Sequence, residues 1–153
     1  MDLRDRLSLE HPVIQAGMGG GVSGAKMVAA VATAGGLGTV GFGPPRNFDR
    51  EIARTKEMTE GKVYAANLLL PLTLRAHVDV LLRHRVPVVS MFCGFDNGIM
   101  RAVKDSGALV IYQVGSEAEA ERVVSAGADA LIVQGFEAGG HVRGDRAACL
   151  ALS

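Results

Sequence analysis

Apolar and polar positions alternate along this chain in blocks. Short runs of valine, leucine, isoleucine and alanine are each followed by a glycine-rich or polar turn, and then by a stretch with helical spacing. The runs are Pro12–Gln15, Leu37–Gly41, Val63–Leu69, Val86–Met91, Ala108–Val114 and Ala130–Gln134. Between them the spacing predicts helices over about 25–34, 48–59, 72–84, 98–104 and 116–126. Gly35 and Gly36 stop the first of these helices. Ser116 with Glu119 three residues later has the form of a capping box opening the last, and Gly127 closes it. Strands that are apolar on both faces suit a parallel sheet covered by helices, and the strand-helix alternation makes the class α/β.

Two architectures share that alternation, the doubly wound sheet and the (β/α)8 TIM barrel. The strand ends separate them. Polar or glycine-rich residues close nearly every run: Gly17-Met18, Gly41-Phe42-Gly43, Asn67, Cys93-Gly94, Gln113, and Gln134 through His141. A barrel gathers all such ends around one mouth, whereas an open sheet uses mainly those at its switch point. The expectation is a partial (β/α)8 TIM barrel of about six βα units, with parallel strands and the helices outside. A closed barrel needs eight units and typically about 250 residues. Residues 1–153 are therefore expected to be the N-terminal portion of one barrel domain, and the chain is read as truncated.

Composition narrows the function classes. With 48% hydrophobic and 21% charged residues the chain can build a real core. Sixteen basic residues balance sixteen acidic ones without a charge block, which argues against nucleic acid or an anionic membrane as partner. Cys93 and Cys149 match no metal or disulfide spacing, so no metal is expected and a reducing cytoplasm is the default location. The start of the chain has no apolar signal core, and no run approaches the roughly 18 residues of a membrane span.

The chemistry-bearing positions follow from the strand ends. Glycines 17, 19, 20 and 21 after the first strand would let the backbone approach a flat ligand, although a tight turn reads as well there. Gly19, Gly21 and Gly24 satisfy a dinucleotide spacing, but no acidic residue ends the second strand to complete it. Asn67, Gln113 and Gln134 place uncharged amides, each both donor and acceptor, at the ends of three strands. Each could pair with the edge of a heterocycle or be a satisfied structural amide. The strongest element is residues 134–141, QGFEAGGH. His141 stands behind Gly139 and Gly140 on a loop, a poor position for packing and a good one for a base near neutral pH. His77 and His84 fall on a helix and are expected to face solvent, and His11 leads into the first strand. Cys93 has no base near it in sequence.

Taken together, HPVIQAGMGGGVSG, VATAGGLGTVG, NLLLP, PVVSMFCG and VQGFEAGGHVRG resemble the nitronate monooxygenase family over about residues 10–144. The resemblance implies an enzyme on a TIM barrel that carries flavin mononucleotide (FMN) and oxidises alkyl nitronates with molecular oxygen to carbonyl compounds and nitrite. It puts the active-site histidine on His141, as base or polarising group. It puts flavin contacts on Gly17, Met18, Asn67, Gln134 and Gly139, with Gly140 beside them and Gln113 facing the isoalloxazine ring in many relatives. It also implies that the flavin phosphate is held by loops after strands seven and eight, which lie outside these 153 residues. The implied partners are a small-molecule nitronate and O2; a homo-oligomer is compatible with the reading. Two alternatives stay open. One is a related flavin enzyme, an enoyl reductase that uses a nicotinamide cofactor; the other is a non-catalytic fragment acting through association.

Overall fold

The computed structural model describes residues 2–148. Five strands form one sheet: β1 (Gly38–Val40), β2 (Tyr64–Leu69), β3 (Val88–Phe92), β4 (Leu109–Val114) and β5 (Ala130–Val133). All pairings are parallel, and the order in space is the order in sequence, β1-β2-β3-β4-β5. A doubly wound sheet reverses its order at a switch point, and this one never does. The molecule is an arc of a (β/α)8 barrel.

Six helices accompany the strands: α1 (Leu3–Arg6), α2 (Ala25–Thr33), α3 (Pro45–Met58), α4 (Arg75–His84), α5 (Asn97–Asp105) and α6 (Glu117–Ser125). Helices α2 to α5 pack each on the next, as the outer ring of a barrel does. Two apolar clusters follow from strand alternation. Facing the helices, Val40, Ala66, Leu68, Val89, Met91, Val110, Tyr112 and Val114 meet Val28, Phe48, Ile52, Leu81, Met100 and Val123. On the opposite, concave face, Ala65, Val88 and Ile111 meet Leu7 and Leu9 from the chain start. The segment around α1 thus plugs the concave face. Arg6 ties it to Asp129 at 3.2 Å, and Asp129 is itself fixed by Lys104 of α5 at 2.6 Å and by Val110 N–H of β4.

The first predicted strand is reduced to a single parallel bridge, Ile14 to Leu37. Its cause is local. Gln15 N–H donates to Leu37 O, but the next rung is taken by the Gln15 side chain, whose Oε1 accepts from Thr39 N–H at 3.2 Å. The bridge still places the segment beside β1, in barrel order. Helix α3 begins earlier than the spacing predicts, because Pro45 is preorganised for a first helical turn. Helix α4 begins later, after a 3-10 turn at Leu70–Leu72.

His77 corrects an expectation. It is buried, its Nδ1 accepting from Leu74 N–H at 2.9 Å and its Nε2 donating to Gly43 O at 3.0 Å. Its ring also packs on Phe42, with centroids 4.7 Å apart. The helix starts late enough that residue 77 sits in its first turn and closes it, with the ring turned under the β1–α3 loop. His84 is partly covered too, bonding Asp49 at 2.6 Å. Helical position alone did not show that the loop before α3 would pass over this face.

Candidate functional site

The strand register decides which polar residues share a face. Asn67 pairs with Ser90, Ser90 with Ile111, and Gln113 with Ile132. Alternation then puts Asn67, Ser90 and Gln113 on the concave face, with Ala65 and Val88 deeper along their strands. These polar groups sit toward the C-terminal ends of the strands, where barrels carry their chemistry. Among the described residues Gln113 has no side-chain hydrogen-bond partner, and Asn67 has only a long one, from Nδ2 to Gly17 O at 3.5 Å.

Gly17 lies directly against Asn67. A methyl group on it would come within 2.5 Å of Asn67 Cβ, so the close approach excludes any other residue. The rest of this opening loop is held from within. Ser23 is buried; its Oγ accepts from Met18 N–H at 2.9 Å and from Gln15 Nε2 at 2.8 Å, and donates to Ala16 O at 3.0 Å. Gly41 meets the loop from β1, where a side chain would overlap the Met18 carbonyl oxygen. Helix α2 has only Gly24 at its N-cap, and Glu51 of α3 supplies the missing acceptor, taking Ala25 N–H at 2.9 Å. That N–H, outweighing the cost of burial, holds the Glu51 carboxyl below the usual carboxylate range. Met18 itself is exposed.

The histidine loop follows β5 and docks on the β4–α6 turn. Gln134 is buried and its amide is fully engaged: Nε2 donates to His141 O at 2.9 Å, and Oε1 accepts from Arg143 N–H at 3.0 Å. Gln134 is the post on which the loop hangs. His141 is exposed, and its ring has no hydrogen-bond partner among the described residues. Added methyl groups at Gly139 and Gly140 would meet nothing within 4 Å, so space lies open beside the histidine.

Next to this loop lies a small cleft lined by Cys93, Tyr112, Gln113, Glu119 and Arg143, among others. Cys93 stands at φ 63°, in the left-handed region that favours glycine, ahead of Gly94 at 97°. Tyr112 donates to Gly94 O at 2.7 Å and holds that turn. Burial pushes its phenol up to about 12, which keeps the donor proton in place. The structure therefore brings Gly17, Met18 and Asn67 together at one end of the arc, and Gln113, Gln134, Gly139, Gly140 and His141 at the other. Arg143 and Glu119 were not singled out as a pair by sequence. Glu119 showed only as a capping residue, and nothing in its spacing points 24 residues onward to Arg143. Cys149 lies outside the described residues. Among the described residues no helix is long and apolar enough to cross a membrane, and no cluster could hold a metal ion.

The family model described as nitronate monooxygenase matches residues 2–77 and 72–149. The chain belongs to the nitronate monooxygenase family. It is 37% identical over 142 residues to a Rhodococcus jostii protein, (3aS,4S,5R,7aS)-5-hydroxy-7a-methyl-1-oxo-octahydro-1H-indene-4-carboxyl-CoA dehydrogenase, covering 91% of this chain and 40% of that one. It is 29% identical to a Staphylococcus aureus "Probable nitronate monooxygenase", covering 91% and 50%. That second match needs 178 aligned positions for the same share of this chain, so the staphylococcal protein carries inserted residues that this chain lacks. Among solved structures, FabK from Thermotoga maritima superposes with a TM-score of 0.87 at 33% identity, over 97% of this chain and 48% of FabK. Nitroalkane oxidase from Streptomyces ansochromogenes gives 0.81 at 32%, over 91% and 50%. The chain spans between 40% and 50% of the length of these relatives.

Proposed function

We propose that this chain is the cofactor-facing half of a flavin-dependent oxidoreductase, and that the barrel it belongs to oxidises alkyl nitronates with O2 to carbonyl compounds and nitrite. The observation that carries the reading is the family match along 2–149, joined to a concave face whose polar groups end where a flat heterocycle would lie. FMN suits this face. Gly17 and Met18 would offer backbone on one side, and the Asn67 and Gln113 amides would meet the ring edge. Gly139 and Gly140 would leave room for the ring and substrate, and Gln134 would act by holding their loop. When bound, the flavin supplies the redox centre. His141 supplies the base: it would take the proton of a neutral nitroalkane, or polarise a nitronate already ionised.

The test is His141→Ala in a flavin-loaded barrel completed with the two further strand-helix units. A general base is worth about 10² to 10⁴ in rate, so turnover should fall by that factor while flavin content holds. The loss should be largest on neutral nitroalkane and smaller on pre-ionised nitronate. Full activity on both would remove His141 from the mechanism.

A second reading has specific support. The Rhodococcus dehydrogenase matches this chain at higher identity and without the inserted residues of the staphylococcal protein, and FabK superposes closely. A thioester-linked substrate handled with a nicotinamide cofactor is the competing activity. Oxygen consumption with nitronate, set against NADH oxidation or NAD+ reduction with a coenzyme A thioester, separates the two.

A further inference from the structure

We propose that Glu119 is a positioning residue for His141, acting through Arg143. The inference rests on the reading of His141 as the reactive group, although its structural part stands without it. Glu119 divides its carboxylate. Oε2 accepts from Gly115 N–H at 2.9 Å and so finishes the turn that opens α6, while Oε1 takes the guanidinium of Arg143. Arg143 lies two residues after His141, and its own backbone N–H is the one Gln134 Oε1 holds.

A second contact points the same way. Gly115 and the Arg143–Gly144 backbone are pressed together: a methyl group on Gly115 would lie 2.5 Å from Gly144 N and 2.8 Å from Arg143 C. The loop therefore docks on the β4–α6 turn at Gly115, which has no room for a side chain there. The Glu119–Arg143 pair fixes how far along that turn it sits. Gln134, at the loop's base, reaches across to His141 O and Arg143 N–H, and Glu119 takes the Arg143 side chain, so the backbone bonds and the ion pair converge on the stretch that carries His141. Glu119 thereby links the end of β4, where Gln113 stands, to the loop that carries the histidine.

The experiment compares Arg143→Ala, Glu119→Ala and the exchanged pair Glu119→Arg with Arg143→Glu, all in the full chain. The readouts are amide hydrogen exchange by NMR over residues 135–143 and the His141 ring signals. An ion pair near the surface contributes modestly, so exchange in the loop should quicken about threefold to tenfold in Arg143→Ala, with the amides of α6 and the sheet unchanged. Glu119→Ala should loosen the loop equally and the start of α6 as well, and the exchanged pair should restore the loop alone. Loop amides in Arg143→Ala exchanging as in the parent would overturn the proposal, and so would loosening spread evenly over the chain. If Glu119→Ala does not fold, Arg143→Ala, which keeps the α6 cap, decides alone. A loop tethered as described around a histidine whose loss leaves turnover intact would break the catalytic reading and leave the tether standing.

Discussion

The two ends of the mouth are built in different ways. The opening loop, residues 16–24, is held mainly by its own sequence: Ser23 reaches back to Ala16 and Met18, Gln15 joins it, Gly17 lets the Asn67 side chain press against the loop, and Gly41 lets the Met18 backbone do the same. The histidine loop is held partly by Gln134 at its own base and partly by an ion pair, Glu119 of α6 taking Arg143. A loop closed by local, uncharged hydrogen bonds is a fixed platform, fit to receive a ring. A loop tied down only at its base and at Arg143, with open space beside Gly139 and Gly140, can shift between those points, which suits a residue that must meet a substrate.

That contrast can be broken most forcefully at Gly41. Gly41→Ala drives a methyl group into the Met18 carbonyl, and the Ser23 carbonyl that accepts Gly41 N–H leaves no route of escape. The expected loss is about 3 kcal/mol of global stability, read by denaturant unfolding. A wild-type midpoint would show that the opening loop yields easily and is no platform. Ser23→Ala should cost less, about 2 kcal/mol, because it removes the three hydrogen bonds that one buried hydroxyl makes to Met18 N–H, the Gln15 amide and Ala16 O. The loss should again be global. Gln134→Ala should lower stability by only about 1 kcal/mol, since the freed groups at His141 and Arg143 reach solvent. Its effect should instead appear as faster amide exchange confined to residues 135–143. Equal global losses from Ser23→Ala and Gln134→Ala would erase the distinction between the two ends.

Much of this was readable from the residues. Six blocks of strand-helix alternation and polar strand ends pointed to the barrel arc, and five of the six strands form as paired strands. The first strand is a lone bridge because a side chain, Gln15, competes for a backbone rung, which periodicity does not register. The positions of Asn67 and Gln113 on one face follow from period-two alternation and were accessible. Gln134 was visible as a polar strand end, but its role as a loop post depends on which way the loop folds back. His77 was misjudged because its burial comes from a different loop, and the Glu119–Arg143 pair spans two elements with no shared spacing. Local chemistry is legible in sequence; tethers between loops depend on the fold that brings them together.

The smallest expected effect concerns acid. Both ends lean on a glutamate from a neighbouring helix, Glu51 on α3 and Glu119 on α6. For Glu119 burial pushes the carboxyl up, but the Arg143 guanidinium and the Gly115 N–H outweigh it and hold the group below its ordinary 4.5. Glu51 also sits below 4.5, chiefly through Ala25 N–H. A carboxyl whose folded pKa is depressed binds fewer protons folded than unfolded, so its stabilisation is complete above the ordinary value and is lost as pH falls through the folded one. Acidification from about pH 6 to about pH 3 should therefore weaken both contacts. The consequences should differ. Protonated Glu119 releases Arg143, and the amides from 135 to 143 should shift and exchange faster. Protonated Glu51 loosens only the first turn of α2, because Ser23 and Gln15, which do not titrate, still hold residues 16–23. Amide NMR across that range checks this directly. An opening loop that loosens at the same pH as the histidine loop would mean that its internal hydrogen bonds are not what fixes it.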